Sequence, residues 1–221
     1  KNTVTVKTEK LFSYGFMCIF VGVMLSVFQQ AVGINAVLYY APRIFQDMGM
    51  GNPMVQTVIM GVVNISFTLV AVFTVEKLGR KPLLILGSIG MAVGALGVAL
   101  TFGNAALSTV TMISIMVYSA SFMFSWGPIA WVLIAELFPN TIRGAAVAIA
   151  VAFQWIFNFI VSSTFVPMFN MHLTPGDDFG HWFTYGLYGV ICILAAIFVW
   201  KLVPETKGKT LEDMSKLWRK E

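Results

Sequence analysis

The chain has 221 residues, 58% of them hydrophobic and only 11% charged, with a mean hydropathy of +0.82 and a formal net charge of +4. Soluble domains carry roughly 25% charged residues, so the composition excludes an ordinary water-soluble domain. The small positive excess is too scattered to bind nucleic acid, and the two cysteines, Cys18 and Cys192, sit in apolar runs as free buried thiols rather than as a disulfide or metal framework.

The chain opens on a polar stretch, KNTVTVKTEK, without an initiator methionine or a signal peptide, and reads as a piece of a longer protein. Residues 1–10 are expected to be the end of a cytoplasmic linker. A bilayer core about 30 Å thick needs ~20 apolar residues per helix. Six stretches meet that length, at 11–41, 54–75, 83–103, 107–134, 145–169 and 182–201, separated by charged or turn-forming segments such as EKLGRKP and ELFPNTIRG. The expected fold is therefore all-α, a polytopic membrane bundle over 11–202, with 203–221 as a cytoplasmic helical segment. Leu211, Met214 and Leu217 recur there at helical spacing.

The first stretch is longer than one crossing and contains Gly33, where a bend is cheapest. The fourth holds SWGPIAW, in which Pro128 removes a backbone hydrogen bond and invites a break. Numbering the two sides from the N-terminus, thirteen of the fourteen basic residues fall on one side, including Lys1, Lys7 and Lys10 before the first span and Arg219 and Lys220 after the last. The other side holds Arg43 together with Asp177 and Asp178. Positive residues stay cytoplasmic, so both termini are expected inside.

No Asp, Glu, Lys or Arg interrupts the interior of a span; Lys201 closes the last one. A charge at mid-membrane costs ~2.5–3.5 kcal/mol on insertion scales, and this chain carries no buried carboxylate relay there. Amides and indoles are what remain. Gln29, Gln30 and Asn35 cluster around Gly33; Gln154, Asn158 and Ser162 form one helical stripe edged by Trp155; Gln56, Asn64 and Thr68 form another. Each amide alone could be interhelical glue. Amides on three spans, with indoles and two weakened helices, suit a ligand with many hydroxyls and no charge. The chemistry points to a neutral polyol, a sugar above all.

QQAVGINAVLYYAP, EKLGRKP, ELFPNTIRG and VPETKGKTLEDM together resemble the sugar porters of the major facilitator superfamily, across nearly the whole chain. The match is to spans seven to twelve of a twelve-helix transporter built from 3+3 inverted repeats. Within the family the resemblance leans towards the bacterial D-xylose–proton symporters and away from the mammalian facilitative glucose transporters. Ser26-Val27-Phe28 precedes the paired glutamines where glucose-selective mammalian members have Gln-Leu-Ser, and Gln154 stands where they carry Asn. The resemblance implies that Gln29, Gln30, Asn35, Tyr39, Asn64, Gly127, Trp131, Gln154 and Trp155 bind or border the sugar. It implies a gating role for Tyr40, and for Arg80, Glu136 and Arg143 an inter-half salt-bridge network at the cytoplasmic face. One glutamate could pair with both arginines.

The implied function is transport of a neutral monosaccharide, xylose or a similar pentose or hexose, by alternating access against an N-terminal six-helix half. Proton-coupled symport is expected of the full-length protein, in a bacterial inner membrane. Two alternatives stay open: an uncoupled glucose-type uniporter and, more remotely, a six-helix polyol or water channel. No cofactor, metal or enzymatic activity is expected; the HLTPGDDFGH segment reads as a solvated loop, and no serine sits in a G-x-S-x-G turn.

Overall fold

A computed structural model describes residues 14–47, 52–174 and 179–218; the expectations for residues 1–13, for Asp177 and Asp178, and for Arg219 and Lys220 lie outside them. The described residues contain nine α-helices, one 3-10 turn and no strand. In order they are α1 (Phe16–Ala31), α2 (Ile34–Asp47), α3 (Pro53–Leu78), α4 (Arg80–Thr101), α5 (Ser108–Phe124), α6 (Trp126–Leu137), α7 (Arg143–Phe169), α8 (Phe179–Leu202) and α9 (Leu211–Trp218). Six spans are long and apolar enough to cross a membrane: α1 with α2, α3, α4, α5 with α6, α7 and α8. The six-span fold expected from the sequence is borne out.

Two of the six spans are broken in the middle. Between α1 and α2 the chain turns at Gly33, whose φ of 86° is left-handed and open to glycine without penalty. A side chain there would also strike Tyr188, because an added Cβ would lie 2.5 Å from its ring. Behind the turn, the buried Tyr118 hydroxyl donates to the Val32 carbonyl. Between α5 and α6 the break falls at Ser125, with φ −134° and ψ −87°. Pro128 stands three residues on, in the first turn of α6, where its missing N–H costs nothing and its ring excludes a helical Phe124 carbonyl. The start of α6 is then pinned from α4: the Trp126 indole N–H bonds to Ser88 Oγ at 2.7 Å and the Leu84 carbonyl at 3.2 Å.

The core is held by close helix approach. Gly94 of α4 packs so tightly on α5 that an added Cβ would lie 2.7 Å from the Tyr118 backbone nitrogen, the small-residue contact that membrane helices use in place of a hydrophobic driving force. Cys18 and Cys192 are free and buried, as expected. By contrast α3 leaves most of its surface open, with Val58, Val62, Ile65 and Phe73 all exposed.

At the end of the bundle where α4 starts and α6 and α8 finish, the chain after α8 folds back across it. Glu205 takes the backbone N–H groups of Arg80 at 3.1 Å and Lys81 at 3.0 Å, so a carboxylate completes the first turn of α4. Lys207 Nζ bonds to the Lys77 carbonyl at 2.6 Å. Helix α9 then begins with a reciprocal cap, Thr210 N–H on Asp213 Oδ2 at 3.0 Å and Asp213 N–H on Thr210 Oγ1 at 3.2 Å. Met214 is buried beneath it and the Trp218 indole donates to the Leu137 carbonyl at 3.1 Å, whereas Leu217 is 43% exposed.

Candidate functional site

The two broken spans and α7 surround a cavity of about 490 Å³, within the usual 300–1,000 Å³ range of small-molecule sites. From the first break come Gln29 and Gln30 at the end of α1 and Asn35 and Tyr39 on α2. From the second come Phe122 and Met123, then Gly127, Pro128 and Trp131. Helix α7 adds Gln154, Trp155 and Asn158, and α3 adds Thr68. Every lining side chain is uncharged.

The amides are joined to one another rather than scattered. Gln29 Nε2 donates to the carbonyls of Trp126 at 3.0 Å and Gly127 at 3.4 Å, across the second helix break. Gln29 Oε1 accepts from Gln154 Nε2 at 2.5 Å and from Gln30 Nε2 at 3.3 Å. Gln30 Oε1 in turn accepts from Asn35 Nδ2 at 2.6 Å and Asn158 Nδ2 at 2.9 Å. Gln29, Gln30 and Gln154 are all buried, while Tyr39 and Trp155, at 60% and 63% exposure, stand open beside them. Such a wall can exchange hydrogen bonds with hydroxyls and stack an indole on an apolar ring face, and it holds no charge for an ion.

Comparison with known proteins points the same way. The family model described as "Sugar (and other) transporter" matches residues 1–218. The chain is 50% identical over 214 residues to the D-xylose-proton symporter of Escherichia coli K12, covering 96% of this chain and 43% of that protein. The chain belongs to the sugar transporter family. It is also 41% identical over 211 residues to the glucose facilitated diffusion protein of Zymomonas mobilis, covering 95% of this chain and 44% of that one. Among solved structures, the inward open conformation of the xylose transporter XylE from E. coli matches with a TM-score of 0.82 at 49% identity, over 94% of this chain and 43% of that chain. A double-tryptophan mutant of XylE matches with a TM-score of 0.88 at 49% identity, over 96% of this chain and 45% of that chain. This sugar-transporter chain thus spans under half the length of these relatives.

Eight of the nine residues expected at the sugar line the cavity; Asn64 does not. Its Oδ1 accepts from Ser119 Oγ at 2.7 Å, which ties α3 to α5, and Thr68, one turn further along α3, faces the cavity instead. The stripe of Gln56, Asn64 and Thr68 named the face correctly but not which member reaches in. Asn158 was visible in the α7 stripe and proves to be part of the amide chain. Phe122 and Met123 carry no polar signal, yet both line the cavity just before the break at Ser125.

Tyr40 lies away from the cavity, its ring stacked on Phe165 with centroids 5.3 Å apart and an interplanar angle of 15°. At the opposite end, Arg80 grips Glu136 with both Nη2 at 2.8 Å and Nε at 3.2 Å, and also holds Glu76 at 2.8 Å. Glu136 takes a further bond from Thr206 Oγ1 at 2.6 Å. Within this chain Glu136 pairs with Arg80 and not with Arg143. Arg143 turns back onto the Phe138 carbonyl, 3.2 Å from Nε and 3.1 Å from Nη2, because the turn before α7 brings that carbonyl within reach.

Proposed function

We propose that this chain is the C-terminal six-helix half of a monosaccharide carrier, and that the amide-lined cavity is its share of the sugar site. The observation that carries the reading is the joined set of Gln29, Gln30, Asn35, Gln154 and Asn158 around an uncharged cavity at two helix breaks. Broken helices at a shared interface are where transporters hold substrate while one bundle rocks against another. The partner is an N-terminal six-helix half, and the open faces of Tyr39 and Trp155 are suited to close on a sugar with it. Sugar must bind both facing states, shifting their populations by its differential affinity.

D-xylose or a similar sugar is the substrate supported by the similarity to the D-xylose-proton symporter, with proton symport across a bacterial inner membrane as the activity of the full-length protein. Uncoupled uniport is the second reading, favoured by the similarity to a glucose facilitated diffusion protein. Sugar-driven alkalinisation outside proteoliposomes separates the two, since only symport takes protons in with the sugar. Gln30→Ala in the full-length transporter is expected to weaken sugar binding about tenfold or more, the loss of roughly 1–2 kcal/mol of hydrogen bonding. Calorimetry on the folded variant checks this, and unchanged affinity would remove Gln30 from the site.

A further inference from the structure

An amide has the same shape with its oxygen and nitrogen exchanged, so its sense is set by its partners. In this cavity one partner admits no choice. The carbonyls of Trp126 and Gly127 can only accept, so the end of Gln29 that faces them is its NH2 group. Gln29 Oε1 therefore points the other way and receives N–H from Gln154 and Gln30. That fixes Gln30 in turn: its nitrogen faces Gln29 and its oxygen faces Asn35 and Asn158, each of which donates. Exchanging the ends of any one member would set donor against donor or acceptor against acceptor.

The bookkeeping of atoms then decides what a ligand meets. Both lone pairs of Gln30 Oε1 are filled, and one of its N–H groups is committed to Gln29, which leaves one N–H. We propose that Asn158 is a positioning residue for the sugar: together with Asn35 it locks Gln30 so that an N–H, not a carbonyl, is turned to the ligand. The inference rests on the sugar-site reading above. It adds a polarity to that site, with Gln30 donating to a hydroxyl oxygen of the sugar.

The test is a double-mutant cycle in the full-length transporter, read by calorimetry with D-xylose. Asn158→Leu keeps the side chain's size and removes the donor, and is expected to weaken binding roughly tenfold, the worth of one good hydrogen bond. In a Gln30→Leu background the same change is expected to cost almost nothing, because the group it orients is gone. An equal loss in both backgrounds would mean that Asn158 acts on its own, and would overturn the proposal. Should Gln30→Leu itself leave binding unchanged, the sugar-site reading falls and the proposal with it. Asn158→His, whose Nδ1–H can occupy the place of the amide N–H, is expected to keep the affinity and guards against a folding defect in the leucine variant. Deoxy and fluorodeoxy sugars read the same point with Gln30 in place. The position facing Gln30 is expected to tolerate fluorine, an acceptor, better than hydrogen, and to lose that preference in Asn158→Leu. A preference that persists unchanged in the variant would also overturn the proposal.

Discussion

The two interrupted spans reach the same end by different chemistry. The break before α2 is made by glycine: Gly33 takes a φ of 86°, and aromatic side chains close in behind it, Tyr188 against its Cα and Tyr118 on the Val32 carbonyl. The break before α6 is made around proline, and the carbonyls beyond it are taken from the front, by Gln29 on Trp126 and Gly127. The first break is thus supported from the core, whereas the second is held both from the core, by the Trp126 indole, and from the cavity, by Gln29. Two interruptions that look alike in outline should therefore differ in what they answer to: the first to packing, the second also to the amides that meet the ligand.

The sharpest way to break that contrast is Gly33→Ala. A left-handed φ and an added Cβ 2.5 Å from the Tyr188 ring act together, and strain plus overpacking are expected to cost on the order of 3 kcal/mol. Thermal melting in detergent checks it, and a fall of less than half that size would mean that Tyr188 yields easily. Tyr118→Phe is milder, since it leaves the ring and removes only the bond to the Val32 carbonyl. About 1 kcal/mol is expected, the lower end of what a buried unsatisfied carbonyl loses. Sugar affinity should move little, because the first break is held from behind. Pro128→Ala is the smallest change: the position lies in the first turn of α6, where an N–H is not required, so stability is expected to stay within about 1 kcal/mol. If helix content rose and the break at Ser125 closed, proline rather than Trp126 and Gln29 would be holding it open.

Much of this was legible in the sequence, and the failures have physical causes. Gly33 announced its bend because no other residue suits the conformation. Pro128 announced a break but not its position, which lies three residues earlier because the ring excludes the carbonyl four residues back. Helical spacing put Asn158 and Thr68 on the right faces, but it could not say that Asn64 would be taken by Ser119, since that depends on how close α3 comes to α5. Glu136 was paired with Arg80 as the charges suggested. Arg143 went instead to a backbone carbonyl, and a carbonyl carries no letter in the sequence. The direction of the amide chain was equally invisible, because it is anchored on the carbonyls of Trp126 and Gly127.

Glu205 has a consequence for the order in which the protein is made. The carboxylate that finishes the start of α4 belongs to a residue 125 positions after Arg80. At synthesis rates of about 5–20 residues per second, α4 waits on the order of 6 to 25 seconds, with its first N–H groups uncapped, before Glu205 is even polymerised. Three more spans have to follow α4 into the membrane in that interval. The segment after α8 therefore acts as a fastening applied to α4 only after the later spans have been made.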